Sequence, residues 1–350
     1  MGEHEVNQMN QPLPTDLLHV SGNEPGIARR RRGKGFSYHP PDGAQLSNDD
    51  LVRIKRLAIP PAYRSVWICG CANGHLQATG LDDRGRKQYC YHPEWASWRS
   101  MVKYQQLPAF GAALGHLRRK IRSDLEADAG GRDFAIAALV FLLDCTSLRM
   151  GCDAYLRDNG SFGATTLLSR HIRLSDGTVR LSFCGKGGKR VVKTLADKRL
   201  HRVLHKIGDL PGRHLFTYIA DDATPRRVHS HEVNSYIASA TAIDGATAKT
   251  FRTWAGTLAA FETALAETKI LTRKALEQAA ADRLANTPVI CRKSYIHPMV
   301  LALADLCCDE RQALLLGLST DGDRSLRVAE RRLLSFLTGT GTDRDSGAGG

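Results

Sequence analysis

The sequence predicts an α+β protein of two lobes: a β-rich N-terminal lobe and a mainly α-helical C-terminal lobe carrying a small antiparallel sheet. Three observations predict it. Short runs alternating apolar and polar residues fill 63–92 and stop at Pro93. Beyond Pro93, apolar residues recur at helical spacing almost to residue 338. One block, 171–195, interrupts those helices with alternation and two turn signals. A chain of 350 residues, 42% hydrophobic, can fill two cores. The lobes are expected as 29–105 and 106–338, with disordered tails at 1–28 and 339–350.

Each element follows from local pattern. Residues 1–25 lack periodicity and are rich in Asn, Gln, Pro and Gly. RRRRGKG (29–35) reads either as a phosphate-binding arm or as a solvated run. GFSYHPPDGAQL reads as strand, turn and strand. NDDLVRIKRLAI (48–59) reads as a capped amphipathic helix ended by Pro60-Pro61. SVWICG, HLQATG and KQYCYH read as strands, with DDRG as a turn. In 107–125, Leu107, Phe110, Leu114, Leu117, Ile121 and Leu125 fall on one helix face. A second apolar helix is expected over 132–149, with Arg149 at its end. In 171–195, Asp176-Gly177 turns one hairpin and GKGGK (185–189) the next. From Leu200 onward the pattern is helical. There is no internal repeat.

Charge and composition exclude several classes. Lys and Arg number 49 against 36 Asp and Glu, a net charge of +13. Residues 1–28 carry −4, while 29–105 carry +8 and 106–338 carry +10. Both lobes are therefore basic, which fits either one shared polyanion or a solvated basic surface. The longest purely apolar run, 134–143, is ten residues, about half of a membrane span. The N-terminus has no signal-peptide core, so a cytoplasmic protein is expected. Nine cysteines without a spacing framework read as reduced thiols. Cys69, Cys71, His75, Cys90 and His92 raise the question of zinc, but no CxxC pair is present, so no metal is expected.

Nucleotide and metal motifs are missing too. GKGGK sits in a hairpin and lacks the Ser or Thr and helix of a phosphate loop. HExxH and GxSxG do not occur, and Asp153, Asp158, Asp221 and Asp222 read as surface or capping residues. If the chain acts on phosphate, it does so with cations and a side-chain nucleophile. Four segments offer these parts: TSLRMGCDAYLRDNGSFGATTL (146–167), the turn with Lys186, KTFRTWAG (249–256) and NTPVICRKSYIHP (286–298). In the last, Tyr295 sits among Arg292, Lys293 and His297.

These runs, in this order, resemble the type IB DNA topoisomerases of the small poxvirus and bacterial kind, which share a catalytic fold with the tyrosine recombinases. IPPAYRSVWICGCANGHLQATGLDDRGRKQYCYHPEW (59–95) is similar to the bacterial branch. The resemblance runs from about residue 30 to about 320. It implies a bilobed clamp on duplex DNA, with Tyr295 attacking the scissile phosphodiester to give a 3′-phosphotyrosine. It implies that Arg149 and Arg252 bind the non-bridging oxygens and that Lys186 protonates the departing 5′-oxygen. Asn286 falls nine residues before Tyr295, where viral relatives carry a phosphate-binding His. Asn donates a neutral hydrogen bond only, so its contribution is expected to be smaller and nearly independent of pH. As an alternative, Asn286 reads as an N-cap before Thr287-Pro288. The resemblance also implies DNA contacts from Gln88, Tyr89, Tyr91, Tyr155 and Lys249; a core-facing tyrosine pair is the alternative at 89 and 91.

Physical chemistry agrees with this assignment. Fixed Arg forks stabilise charge on a transferring phosphoryl group. A phenol titrating near ~10 in water gains as a nucleophile from neighbouring cations. Ester exchange conserves the bond energy, so the resemblance implies neither ATP nor any cofactor. A tyrosine recombinase or integrase is the nearest alternative. Recombinases normally show HxxR, where this chain has Lys249-Thr250-Phe251-Arg252. Their N-terminal domain is helical, and this one is β-rich. A catalytically inactive DNA-binding relative is the other alternative. A monomer without nucleotide or membrane partners, associated with the nucleoid, is expected.

Overall fold

The structure, a computed structural model, describes residues 14, 16–210 and 212–339, without the side chains of Ala154 and Tyr155. It divides into two compact units, Met1–Lys103 and Tyr104–Gly350.

The first unit is a five-stranded antiparallel sheet in the order β2-β1-β3-β4-β5. The strands are β1 (Ile27–Arg32), β2 (Gly35–His39), β3 (Arg64–Ile68), β4 (Leu76–Leu81) and β5 (Lys87–Tyr91). Helix α1 (Asn48–Arg56) packs Ile54 against Ile27, Val66, Ile68 and Ala78. Ser47 caps this helix, accepting from Asp50 N at 3.1 Å, with Asp49 and Asp50 in the first turn and Arg53, Lys55 and Arg56 in the last. Three strands and the turn read from 63–92 are where alternation puts them.

Three expectations are refined or corrected here. RRRR lies in strand β1 of a hairpin, and Arg30, Arg31 and Arg32 are solvated along it, as one of the two readings had it. Arg29 turns back and donates to the carbonyls of Ile59, Pro60 and Tyr63. The second strand expected after Pro40-Pro41 does not form; two successive prolines offer no N–H to a ladder, and β2 pairs with β1 instead. Of the residues expected as a tail, Asp16 to Ala28 are ordered. Leu17 is buried, His75 N donates to Leu18 O at 2.8 Å, and Trp67 Nε1 donates to Glu24 O at 2.8 Å. The expected C-terminal tail falls outside the described residues but for Gly339.

The second unit is mainly helical. Helix α2 (Pro93–Gln105) belongs to the first unit as far as Lys103, and the second unit continues with α3 (Leu107–Asp124), whose apolar face is the one read from the sequence. Then come α4 (Arg132–Thr146), α5 (Asp153–Asn159) and a three-stranded antiparallel sheet, β6 (Ile172–Ser175), β7 (Thr178–Cys184) and β8 (Arg190–Ala196). Val179, Leu181 and Phe183 of β7 enter the core. Helices α6 (Lys198–Gly208), α7 (Ser230–Thr241), α8 (Ala248–Ala266), α9 (Arg273–Leu284), α10 (Pro288–Ser294), α11 (Pro298–Ala302), α12 (Cys308–Leu316) and α13 (Val328–Gly339) follow. A two-stranded hairpin, β9 (Thr217–Ile219) with β10 (Pro225–Arg227), interrupts the run read as all helical. Asp222 turns it, accepting from Thr224 N at 3.1 Å.

Helix α4 also departs from expectation. It ends at Thr146, because Ser147 takes a left-handed conformation (φ 54°). Arg149 therefore lies beyond the helix, in a loop, rather than at its last turn.

Candidate active site

Two helix ends and one long helix build the site in the second unit. Helix α4 ends at left-handed Ser147, and α9 ends at left-handed Ala285 (φ 48°). Each end leaves carbonyls without intrahelical partners. Arg252, on α8, takes one from each: it donates to Ser147 O through Nη1 and to Leu284 O through Nη2 at 3.2 Å. Its residue is only 4% exposed, and among the described residues no carboxylate pairs with it. Burial lowers its pKa from the ordinary value; nearby Arg149 adds to this, and Tyr295 opposes it. The guanidinium stays charged, since an Arg titrates far above neutrality. Carbonyls at helix C-termini favour a cation, and here they hold one without neutralising it.

Tyr295 lies directly against this arginine. The Arg252 guanidinium sits 5.1 Å from the centre of the Tyr295 ring. Helix α8 supplies the seat. A side chain at Gly256 would come within 2.7 Å of Tyr295 O and 3.1 Å of its Cβ, so only glycine permits this approach. The next residue, Thr257, donates to Tyr295 O at 3.2 Å and accepts from His297 N at 3.1 Å. Tyr295 itself terminates α10, its N–H bonded to Cys291 O at 2.8 Å.

Arg149 completes a pair of cations. Cys291, fully buried one turn before Tyr295, has its thiol pushed up to about 11 by burial, while Arg252 and Arg149 both pull it back. Both guanidinium groups therefore lie near enough to Cys291 for their charge to be felt there. The Arg149 loop is tied down by its own backbone: Ala164 N donates to Arg149 O and Thr165 N to Met150 O, each at 2.8 Å. Two residues earlier, Phe162 N donates to Cys184 O at 2.8 Å, which links this loop to the end of β7. Lys186 follows at the exposed tip between β7 and β8. Gly187 and Gly188 both have φ near 75°, a region where side chains are strained, so the tip needs its glycines.

Asn286 stands two residues after Leu284. It is not an N-cap: Thr287 is, accepting from Ile290 N, while Asn286 Oδ1 accepts from Thr287 N at 3.1 Å. Lys249 is exposed in the first turn of α8, one turn before Arg252. Tyr155 lies on α5, and its side chain falls outside the described residues. The structure thus brings Arg252 against Tyr295, with Arg149 near enough to act on Arg252, and sets Asn286 on the turn after the helix end whose carbonyl holds Arg252. Lys186 stands on a hairpin tip that the bond from Phe162 N to Cys184 O ties to the Arg149 loop.

In the first unit, Tyr89 and Tyr91 share one face of β5, their rings stacked 6.1 Å apart. Tyr89 is 37% exposed, with Lys87 Nζ 5.5 Å from its ring, so the core-facing alternative does not hold for it. Gln88 points to the other face and donates to Asp82 Oδ2 at 3.0 Å. Among the described residues no three His, Cys, Asp or Glu side chains gather to hold a metal ion, and Cys69, Cys71, His75, Cys90 and His92 make no such group. All nine cysteines are free. No helix among the described residues is long and apolar enough to cross a membrane.

Residues 93–294 match the family model of the eukaryotic DNA topoisomerase I catalytic core. That span is more than half of the chain. The chain belongs to the type IB DNA topoisomerase family. Residues 35–82 also match the N-terminal domain of bacterial DNA topoisomerase IB. A DNA topoisomerase 1B of Acanthamoeba polyphaga mimivirus is 29% identical over 293 residues, covering 79% of this chain and 87% of the relative. The matched topoisomerase core ends at residue 294, so Tyr295 stands immediately outside it and rests on its own geometry. Sequence reasoning missed Gly256 and Thr257, the seat of the tyrosine in this topoisomerase. Their spacing of four and five from Arg252, on one helix, was the available signal.

Proposed function

We propose that this type IB topoisomerase relaxes supercoiled duplex DNA through transient cleavage of one strand, rotation and religation. The observation that carries this reading is the buried, acid-free guanidinium of Arg252 against the ring of Tyr295. A cation held only by carbonyls keeps its charge for an anion that arrives later. Tyr295 attacks the scissile phosphorus and forms a 3′-phosphotyrosine. Arg149 and Arg252 stabilise the non-bridging oxygens, and Asn286 adds a neutral hydrogen bond. Lys186, on its glycine-jointed tip, gives a proton to the leaving 5′-oxygen. Religation is the reverse attack by that oxygen, so the link conserves the bond energy and calls for neither ATP nor a metal. Gln88, Tyr89, Tyr91, Tyr155 and Lys249 hold the duplex in this reading. The enzyme acts as a monomer on DNA in the cytoplasm.

The test is direct. The purified protein is expected to relax supercoiled plasmid in EDTA without ATP. Tyr295→Phe is expected to abolish relaxation and keep DNA binding. An inactive native protein, or an active Tyr295→Phe variant, refutes the reading.

A further inference from the structure

Strand β8 carries a lysine where its alternation calls for an apolar residue. Lys193 is two residues from buried Val191 and opposite buried Leu181 of β7. Its ammonium reaches across to the end of α9 and donates to Arg283 O at 2.7 Å. Arg283 is the residue before Leu284, whose carbonyl holds Arg252. The Arg283 guanidinium runs back to Cys145 O, near the end of α4, at 3.5 Å. Three cations on three elements thus share the carbonyls of two helix ends.

This arrangement is costly in itself. Burial pushes the Lys193 ammonium down to about 8, and repulsion from Arg283 on α9 and Arg252 on α8 adds to the shift. Those two arginines are the charged groups that act on it, and among the described residues no carboxylate pairs with it. A buried cation without a counter-charge destabilises a fold unless something else requires it. The same strand begins just past the tip that carries Lys186. Lys193 therefore joins the Lys186 hairpin to the helix end that seats Arg252 and precedes Asn286.

We infer that Lys193 is a positioning residue: it fixes the end of α9 so that Leu284 O stays aimed at Arg252 and Asn286 stays beside Tyr295. The inference rests on the functional reading above. Removing the brace leaves Arg283 O without its partner and lets the carbonyl pair drift. Misplacing a phosphate-binding group by a fraction of an ångström slows chemistry far more than it weakens binding.

Single-turnover cleavage of an end-labelled duplex tests this with Lys193→Met and Lys193→Gln. Non-covalent DNA binding is measured in the Tyr295→Phe background. Lys193→Met is expected to slow cleavage about tenfold near neutral pH, with binding changed by less than about twofold. The deficit is expected to narrow above a pH of about 8, because the neutral amine of native Lys193 donates a weaker bond to Arg283 O than its ammonium does. A purely structural lysine gives a deficit that does not change with pH. Lys193→Gln, which keeps an N–H donor, is expected to recover part of the rate, and it carries the same comparison should the Met variant not fold. Cleavage at the native rate, a deficit constant with pH, or binding lost in step with rate overturns the inference. A native protein that forms no covalent adduct overturns the functional reading first, and is told apart by that.

Discussion

A half-buried arginine and a fully buried one in the second unit are held in opposite ways. Arg118, on α3, meets two carboxylates: it donates to Asp144 at 2.8 and 3.0 Å and to Glu330 twice at 2.9 Å. Arg327 closes the network on Glu330, which is 0% exposed. Arg252 donates to two backbone carbonyls and faces the ring of Tyr295, with no carboxylate beside it among the described residues. The first arrangement is closed, since every charge there is answered. The second is open, since its charge is solvated by dipoles and answered by nothing. These two cations thus differ in what neutralises them.

The comparison is broken most severely at Glu330. Glu330→Gln is expected to cost about 2–3 kcal/mol, because it removes the buried charge that half-buried Arg118 and exposed Arg327 share, while Arg118 keeps Asp144. Denaturant unfolding measures it, and the activity of the remaining folded protein should be unchanged. The sign with pH follows. Burial would raise the Glu330 pKa, yet Arg118 and Arg327 outweigh it and hold the group at about 2, below its ordinary value. Its stabilisation is full above the unfolded value of about 4.5 and is lost as pH falls toward 2. The variant should therefore show a flatter acid limb than the native protein.

Arg252→Ala is the counter-case. Cleavage is expected to fall about 10²–10³-fold, the scale of losing one preorganised charge donor. Stability should change by less than about 1 kcal/mol, since an unpaired buried charge leaves together with its contacts. If this variant unfolds as readily as Glu330→Gln, the distinction between closed and open cations fails. The smallest effect is expected at Arg273, paired with Asp305 on the surface, both more than half exposed. Arg273→Ala should cost no more than about 0.5 kcal/mol in thermal or denaturant unfolding. A larger loss would mean that exposure does not weaken such a pair here.

Much of the fold was legible because it follows local rules. Alternation placed β3, β4 and β5, Asp176-Gly177 placed a hairpin, and a spaced apolar face placed α3. The site residues were legible as types in an ordered set of motifs. What held them was not. The open seat of Arg252 depends on two helices ending at Ser147 and Ala285, neither of which is the Gly or Asn that usually marks a left-handed end. Arg252 and the carbonyl of Ser147 are 105 residues apart in sequence. No motif marks Lys193, and its part-buried place shows only in its bond to the carbonyl of Arg283 on another element. The β9–β10 hairpin has strands of three residues, too short for alternation to register. The ordered stretch after Asp16 has no period at all; it is placed by single bonds to His75 and Trp67.

The seat of Tyr295 has a mechanical consequence. Thr257 grips the chain on both sides of this residue, at Tyr295 O and at His297 N, while Gly256 lets the backbone press onto α8. Only the side chain of Tyr295 is left to pivot. A DNA end tethered to its phenolic oxygen would pull on an anchored peptide, and the load would pass into a nineteen-residue helix. Torque from a turning duplex would then be borne as shear along α8, with the tyrosine acting as the pin of a swivel and the helix as its mount.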